Sequence, residues 1–197
     1  MQSQNDEIKK TMNVKSHVLL SVIFSFFILH SALGQGSLTP PGAPGPTMLT
    51  LSQIEPRTPI SSAPITITQP GSYYLATNLT VSGGTAIVIQ ANGVTLDLRG
   101  FTISSTAATA AGTAILLNGS VTNIAIYDGQ IMSGATNSST GIFGGSGFVN
   151  GISAGTPYNV RVKNISVCGV MNYGIFLGAN SSVAESCVVN VAGTYGI

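Results

Sequence analysis

Charged side chains are scarce in this sequence. Seven Lys or Arg and six Asp or Glu residues make up 7% of its 197 residues, whereas an average soluble domain holds about 25%. So few charges exclude a basic surface for nucleic acid and a helical bundle held by many ion pairs. Ser, Thr, Asn and 24 glycines take their place, so hydroxyl and amide groups must keep the chain soluble.

Histidine and cysteine are equally rare. Both histidines, His17 and His30, lie in the first 34 residues, and the cysteines are Cys168 and Cys187. Without histidine, the later region cannot use a Ser-His-Asp or Cys-His mechanism, and two cysteines cannot form a four-thiolate zinc site. We therefore predict no catalytic residues, no metal and no cofactor, with Ca²⁺ considered only if the chain belongs to a polysaccharide lyase.

The N-terminus is typical of a secretory signal peptide. Three lysines precede an apolar run over 18–29, and small residues follow at Ala32 and Gly34. The run is too short for a membrane span, which needs about 20 apolar residues. We predict a signal peptide over 1–34, translated from the first residue or from Met12, and no span after its removal. The mature protein is then secreted or held at the cell surface, with the periplasm as an alternative.

The remaining chain divides into a leader and an all-β domain. Residues 35–64 are rich in proline and glycine and form the leader. From Ile65 onward, short alternations of Val, Ile, Leu and Thr are interrupted by Gly, Asn and Ser. This pattern predicts strands, and no segment keeps a helical period. The domain over 65–197 is therefore expected to be all-β, with N-terminal covering strands.

Internal repeats predict how the strands are arranged. Isoleucines that follow a pair of small, polar or tyrosine residues recur at spacings of 28, 37, 23 and 22 residues: Ile87, Ile115, Ile152, Ile175 and Ile197. A second apolar series drifts with the first: Leu98, Ile126, Val162 and Ala184. Two motifs that drift together indicate coils of about 22 residues, with loops inserted near 106–112 and 135–149. Stacked coils of this kind, here called rungs, form a parallel β-helix of about four rungs.

Two segments resemble a known family. Residues 70–75 (PGSYYL) and 91–103 (ANGVTLDLRGFTI) resemble the opening of secreted bacterial right-handed parallel β-helix proteins of the pectin-lyase-like superfamily. The resemblance covers about 65–197 and implies the fold, but it singles out no activity, because the superfamily holds lyases, hydrolases and adhesins. Arg99 stands where the family's LDLNG pattern has asparagine, which removes one amide ladder at that corner.

The sequence ends at Ile197, at the start of a further rung. A solenoid that ended there would expose an apolar cross-section and unpaired strand edges. Two alternatives stay open, a fragment of a longer β-helix or a chain with an end-to-end partner. We expect the first, in which further rungs follow.

The predicted register gathers the charges into one stripe. It stacks Asp97 on Ala125, Arg161 and Val183; Arg99 on Tyr127, Lys163 and Glu185; and Gly100 on Asp128, Asn164 and Ser186. Six of the eight charges that follow residue 34 then lie in this stripe, and Glu55 and Arg57 lie off it. We define the polar stripe by its candidate ligand-binding residues: Asp97, Arg99, Tyr127, Asp128, Arg161, Lys163 and Glu185.

The polar stripe has two interpretations. It is a groove for an acidic or neutral polysaccharide or an envelope glycan, or it is a solvated face on which Lys163 pairs with Glu185. The second is favoured, because outward strand positions are where charges must lie. The carboxylates are too scattered for a hydrolase pair or a Ca²⁺ cage. We therefore expect a non-catalytic glycan-binding or structural module, with the N-terminal part of a polysaccharide lyase or glycoside hydrolase as the alternative.

Two further pairs follow from the same register. Tyr173 and Tyr195 are expected to stack on adjacent rungs, either as a sugar-stacking platform or, as we favour, as an aromatic ladder. Cys187 falls in an inward column with Phe101 and Ile165, three positions away from the residue that pairs with Cys168. Their Cα atoms would lie roughly 11 Å apart, beyond the reach of about 7 Å for a disulfide. We predict two free thiols.

Overall fold

The computed structural model describes residues 5, 7–17, 19, 21, 54–138, 141–178 and 181–197. The chain forms two compact units, Met1–Leu49 and Thr50–Ile197. In the first unit the described residues are helical and exposed, and no described helix has the length and apolar character of a membrane span. Most of the predicted apolar run over 18–29, the cleavage position at Gly34 and the leader up to residue 53 lie outside the described residues.

The second unit is built from strands. Within its described residues the strands are β1 Thr58–Ile60, β2 Ile65–Ile67, β3 Gly71–Leu75, β4 Leu79–Val81, β5 Ile87–Ile89, β6 Val94–Asp97, β7 Thr102–Ser105, β8 Thr113–Leu117, β9 Thr122–Met132, β10 Gly134–Asn137, β11 Phe143–Ser146, β12 Asn150–Ala154, β13 Tyr158–Val170, β14 Ile175–Leu177, β15 Val183–Glu185 and β16 Val188–Ala192.

The strands stack in three parallel ladders. One runs β1-β3-β6-β9-β13-β15, and another runs β2-β5-β8-β12-β14. The third joins β4, β7, the second halves of β9 and β13, and β16. Along each ladder, successive strands come from successive rungs, so the unit is a parallel β-helix, as predicted. The longest ladder contains six described strands, and its first strand, β1, lies within the segment that the sequence assigned to the leader.

Four of the five repeat isoleucines form a buried column, as their spacing predicts, whereas the fifth, Ile197, is 63% exposed. Ile65 pairs with Ile87, and the column continues through three further isoleucines: Ile115, Ile152 and Ile175. Alanine or glycine precedes Ile87, Ile115, Ile152 and Ile175. A Cβ on Gly151 would clash with the Gly174 carbonyl oxygen and lie 2.8 Å from Val167 Cγ1, so this position requires glycine.

The second apolar column was predicted wrongly at its first residue. Leu96, and not Leu98, pairs with Ile126, whereas Val162 pairs with both Ile126 and Ala184 as predicted. The difference arises at the corner after β6. The chain takes two more residues to pass from Leu96 to Ile103 than to pass from Ile126 to Ile131, the residues with which they pair. The Phe101 amide donates to the Leu98 carbonyl at 2.8 Å, and the two residues between them have positive φ values of 51° and 79°, as in a type I′ turn.

The two predicted insertions are observed, and they contact each other. β10 and β11 form an antiparallel hairpin in the longer insertion. The backbone amide of Ala111, in the shorter insertion, donates to the Gly147 carbonyl at 2.8 Å, and Gly147 donates back to Ala107 at 2.8 Å. Phe148 is completely buried where the longer insertion rejoins the solenoid.

The cysteines have the predicted offset. Cys168 pairs with Asn190, whereas Cys187 falls between the pairs Lys163–Glu185 and Ser166–Val188. Both thiols are free and partly buried. The inward column and the three-residue offset that the sequence indicated are therefore confirmed.

Candidate functional site

Four of the seven polar-stripe residues form a single column on the outer face of the first ladder. Asp97 pairs with Tyr127, Tyr127 with Lys163, and Lys163 with Glu185. Tyr74 extends the column by one rung, because it pairs with Asp97. The register predicted from sequence placed Arg99 in this column and was wrong by two residues, since the longer corner after β6 moves Asp97 into the position.

Arg161 occupies the neighbouring outward column. It pairs with Ala125 on one side and Val183 on the other, and Thr95 follows beyond Ala125. Asp97 was predicted in this column, and that prediction was wrong because of the two extra residues in the corner after β6. Arg161 is exposed, and within the described part of the chain its guanidinium makes no hydrogen bond or ion pair. Its two neighbours are too small or apolar to neutralise it.

Lys163 and Glu185 form the ion pair that the sequence predicted. The Lys163 Nζ atom lies 3.4 Å from Glu185 Oε1, and both side chains are about half exposed, at 48% and 49%. Such a pair contributes about 0.2–1 kcal/mol because solvent screens it. Lys163 is therefore only weakly held by its partner.

Asp128 belongs to a corner ladder beside these columns. Asp128, Asn164 and Ser186 directly follow the three column residues Tyr127, Lys163 and Glu185, and all three have left-handed backbones with φ values of 56°, 56° and 53°. The Asn164 amide donates to Asp128 Oδ1 at 2.8 Å. The predicted stacking of these three residues is observed, and the left-handed conformation lets β9 and β13 pass from the first ladder into the third.

A second corner ladder borders the opposite side of the stripe. Asn123, Asn159 and Ser181 have φ values of 58°, 56° and 57°, and the Asn159 amide donates to Asn123 Oδ1 at 2.5 Å. Sequence reasoning missed this ladder. Its signal is present, because each of its residues precedes a residue of the first corner ladder by five positions, and Asn, Asp and Ser accept left-handed backbones more readily than most residues.

An open groove of about 270 Å³ follows the first corner ladder. Its polar lining comes from the corner residues and from the outward residues just beyond them: Asp128, Gln130, Asn164, Ser166 and Ser186. The groove runs across successive rungs, and three of them contribute a hydrogen-bonding corner side chain: a carboxylate from Asp128, an amide from Asn164 and a hydroxyl from Ser186. Its volume is slightly below the usual range of about 300–1,000 Å³ for small-molecule pockets, and its shape suits part of a longer ligand.

Glu55 and Arg57, which the sequence placed off the stripe, are joined to it. Arg57 Nη1 donates to Asp97 Oδ2 at 2.6 Å, and Nε donates to Glu55 Oε1 at 2.7 Å. The hydrogen bond from Arg57 is the largest cause of a lowered pKa at Glu55, and its hydrogen bonds to Glu55 and Asp97 raise the pKa of Arg57. The sequence around either residue does not predict this contact, because Arg57 and Asp97 are 40 residues apart.

Arg99 lies at the same end of the stripe. Its guanidinium is 4.9 Å from the centre of the Tyr74 ring, and that of Arg57 is 5.0 Å from the same ring. The Asp97 carboxylate accepts the Arg99 backbone amide at 2.8 Å. The turn and Tyr74 therefore bring Arg99 close to the stacked column, although Arg99 is not a member of that column.

Tyr173 and Tyr195 pair on adjacent rungs as predicted. Their ring centres lie 6.0 Å apart with planes 9° from parallel, and Phe176 stacks on Tyr173 at 4.9 Å. Tyr195 is 66% exposed. The arrangement is an aromatic ladder on another corner of the solenoid, distinct from the polar stripe.

The described residues contain no group of three or more His, Cys, Asp or Glu side chains placed to hold a metal ion. Comparison with known proteins gave no matching family model, no matching curated protein and no matching solved structure.

Proposed function

We propose that this chain is an exported β-helix module of the pectin-lyase-like kind that binds polysaccharide or cell-envelope glycan along its polar stripe. The observation that carries the proposal is Arg161, which is exposed and whose guanidinium has no hydrogen-bond or ion-pair partner within the described residues. It lies on the same outward strand face as Lys163, and their strand, β13, also contributes Asn164 and Ser166 to the open groove. A purely structural rod has no need of such an unneutralised cation.

A long, repetitive ligand suits a repetitive surface. Successive rungs are separated by the interstrand distance of about 4.8 Å, which is close to the length of one sugar unit in an extended polysaccharide. Three successive rungs present a hydrogen-bonding side chain at the corner, namely Asp128, Asn164 and Ser186. Sugar hydroxyls both donate and accept hydrogen bonds, so successive sugar units can each meet a hydrogen-bonding group on these rungs.

Arg161 favours a polysaccharide that carries carboxylates. A guanidinium binds a carboxylate through two parallel hydrogen bonds, and such charge-assisted bonds are about twice as strong as neutral ones. Lys163 adds a second cation on the same outward face of β13, and its exposed pairing with Glu185 is weak enough for a ligand to compete. Hydroxyls of a neutral polysaccharide would use the groove alone.

The enzymatic alternative rests on the family resemblance. In the described residues Asp97 is engaged by Arg57 and Asp128 by Asn164, so both carboxylates already have partners. A polysaccharide lyase or glycoside hydrolase containing this chain would need catalytic residues outside the described part. Its Ca²⁺, if it is a lyase, would need ligands from there as well.

Glycan-array binding followed by titration calorimetry tests the proposal. We expect the purified protein to bind acidic polysaccharides, and Arg161→Ala with Lys163→Ala to weaken binding about tenfold or more. Ile142→Ala is the control, because Ile142 is 69% exposed in the inserted hairpin, between β10 and β11, and does not line the groove. Equal binding by both variants, or no polysaccharide binding by the unmodified protein, would overturn the proposal.

A further inference from the structure

Three Asn-Gly pairs occur in the solenoid: Asn92-Gly93, Asn118-Gly119 and Asn150-Gly151. In such a pair the backbone nitrogen of glycine can attack the side-chain carbonyl carbon of asparagine, since glycine has no Cβ to hinder the approach. The reaction requires that both groups be free to move. The hydrogen bonds of each pair therefore decide which asparagine reacts in the folded protein.

The pair Asn92-Gly93 is held by the next rung. Asn92 Oδ1 accepts the Thr122 backbone amide at 2.9 Å, and the Gly93 amide donates to the Thr122 carbonyl at 2.9 Å. Both reacting groups are thus engaged by a single residue. Attack would require the local separation of two rungs.

The pair Asn150-Gly151 is held more extensively. Asn150 Oδ1 accepts the Tyr173 amide at 3.3 Å, and its Nδ2 donates to Thr113 Oγ1 at 3.3 Å. The Gly151 amide donates to the Tyr173 carbonyl at 2.9 Å, and Gly151 is buried. This asparagine is tied to the rungs on both sides of it.

The pair Asn118-Gly119 is different. Both residues are exposed where the chain leaves β8, and the Asn118 side chain and the Gly119 amide have no hydrogen-bond partner among the described residues. The contacts that hold this turn use other atoms: the Asn118 amide donates to the Ile89 carbonyl at 2.9 Å, and the Gly119 carbonyl accepts Thr156 Oγ1 at 3.1 Å.

We infer that Asn118 is a site of spontaneous deamidation in the folded protein. The Gly119 nitrogen forms a bond to Asn118 Cγ and loses its proton, the bond from Cγ to Nδ2 breaks, and ammonia leaves with that proton. Water then opens the cyclic imide at either carbonyl and leaves aspartate or isoaspartate. No oxidant, reductant or enzyme is required.

The product differs clearly from the starting protein. The region after residue 34 contains eight charges that sum to zero, so one new carboxylate gives that region a net negative charge. This carboxylate would appear at the end of β8, away from the polar stripe. Deamidated molecules should therefore separate from intact ones by anion exchange, and this behaviour is independent of polysaccharide binding.

Peptide mapping by mass spectrometry tests the inference. Purified protein is incubated in mildly alkaline buffer and digested at acidic pH, and the asparagine and aspartate forms of the three peptides are measured over time. We expect deamidation at Asn118 to be at least about tenfold faster than at Asn92 and Asn150, because the two held pairs must first open locally. In denaturant the three rates should converge.

Two results would overturn the inference. One is equal deamidation at all three asparagines in the folded protein, and the other is an intact Asn118 in folded protein that deamidates readily once unfolded. Asn118→Gln serves as the control, since its longer side chain forms the corresponding ring slowly, and the acidic species should disappear from its anion-exchange profile.

Discussion

The side chain of Leu98 occupies the space in which a Cβ on Gly129 would lie. Leu98 begins the long corner after β6 and is completely buried. Its amide donates to the Tyr127 carbonyl of β9 at 2.8 Å, although Leu98 itself lies outside the strands. Gly129, on the next rung, follows Asp128 at the point where β9 changes ladder. The missing side chain on one rung thus accommodates the extra leucine of the rung below, and the register is restored where Ile103 pairs with Ile131.

Gly129→Ala should destabilise the solenoid. The new methyl group would overlap Leu98 Cβ, and overpacking of a core costs about 1–3 kcal/mol. Gly155→Ala is the matched control, because a Cβ on Gly155 meets nothing within 4 Å. Urea unfolding followed by circular dichroism should show a lower midpoint for the Gly129 variant alone, and equal midpoints would contradict this packing.

Cys168 and Cys187 should remain reduced in an oxidising medium. The three-residue offset between Cys187 and Asn190, the residue paired with Cys168, separates the two Cα atoms beyond disulfide range. Alkylation under denaturing, non-reducing conditions should label both cysteines. A Cys168–Cys187 cross-link in the peptide digest would show that the register of β16 on β13 is wrong.

The Arg57 contact should weaken in acid. Its hydrogen bond lowers the pKa of Glu55, so the interaction stabilises the folded protein at neutral pH. That stabilisation is lost as the pH falls below about 4.3, the ordinary glutamate pKa. Carboxyl NMR titration should give a low pKa for Glu55 that rises towards the ordinary value in Arg57→Met. Identical titration of Glu55 in both proteins would refute the contact.

The aromatic ladder should serve stability rather than glycan binding. Tyr173→Ala removes stacking with Phe176 and Tyr195, and each such pair is worth about 0.5–1.5 kcal/mol beyond the area that it buries. Tyr158→Ala is the control, since Tyr158 is 51% exposed and belongs to neither ring pair. We expect a lower unfolding midpoint for the Tyr173 variant with unchanged polysaccharide affinity. Lost affinity with an unchanged midpoint would make the ladder a sugar platform instead.

Much of the fold could be predicted from the sequence because a stacked solenoid repeats its constraints. An inward isoleucine after alanine or glycine recurs on four successive rungs, at Ile87, Ile115, Ile152 and Ile175, so its spacing indicated both the coil length and the inserted loops. The corner after β6 could not be placed in this way. Leu98 is also apolar and points inward, so the sequence pattern assigned it to the column position that Leu96 occupies.

The site was harder to predict than the core, since it depends on side-chain contacts across rungs. A register error of two residues put Arg99 in the column position that Asp97 occupies, whereas Lys163 and Glu185 were correctly paired because β13 and β15 align without an insertion. The Arg57–Asp97 contact depends on strand β1, which directly follows Arg57. The surrounding residues are rich in proline, so the sequence predicted a leader there and not a strand.

The most direct test of polysaccharide binding at the polar stripe is an NMR titration of the isotope-labelled protein with an acidic oligosaccharide. The largest amide shift changes should fall in residues 125–130 and 161–166, which hold the exposed cations and the groove. Changes confined to the outward residues of the second ladder, Val88, Leu116 and Ser153, or the absence of any change, would contradict binding at this face.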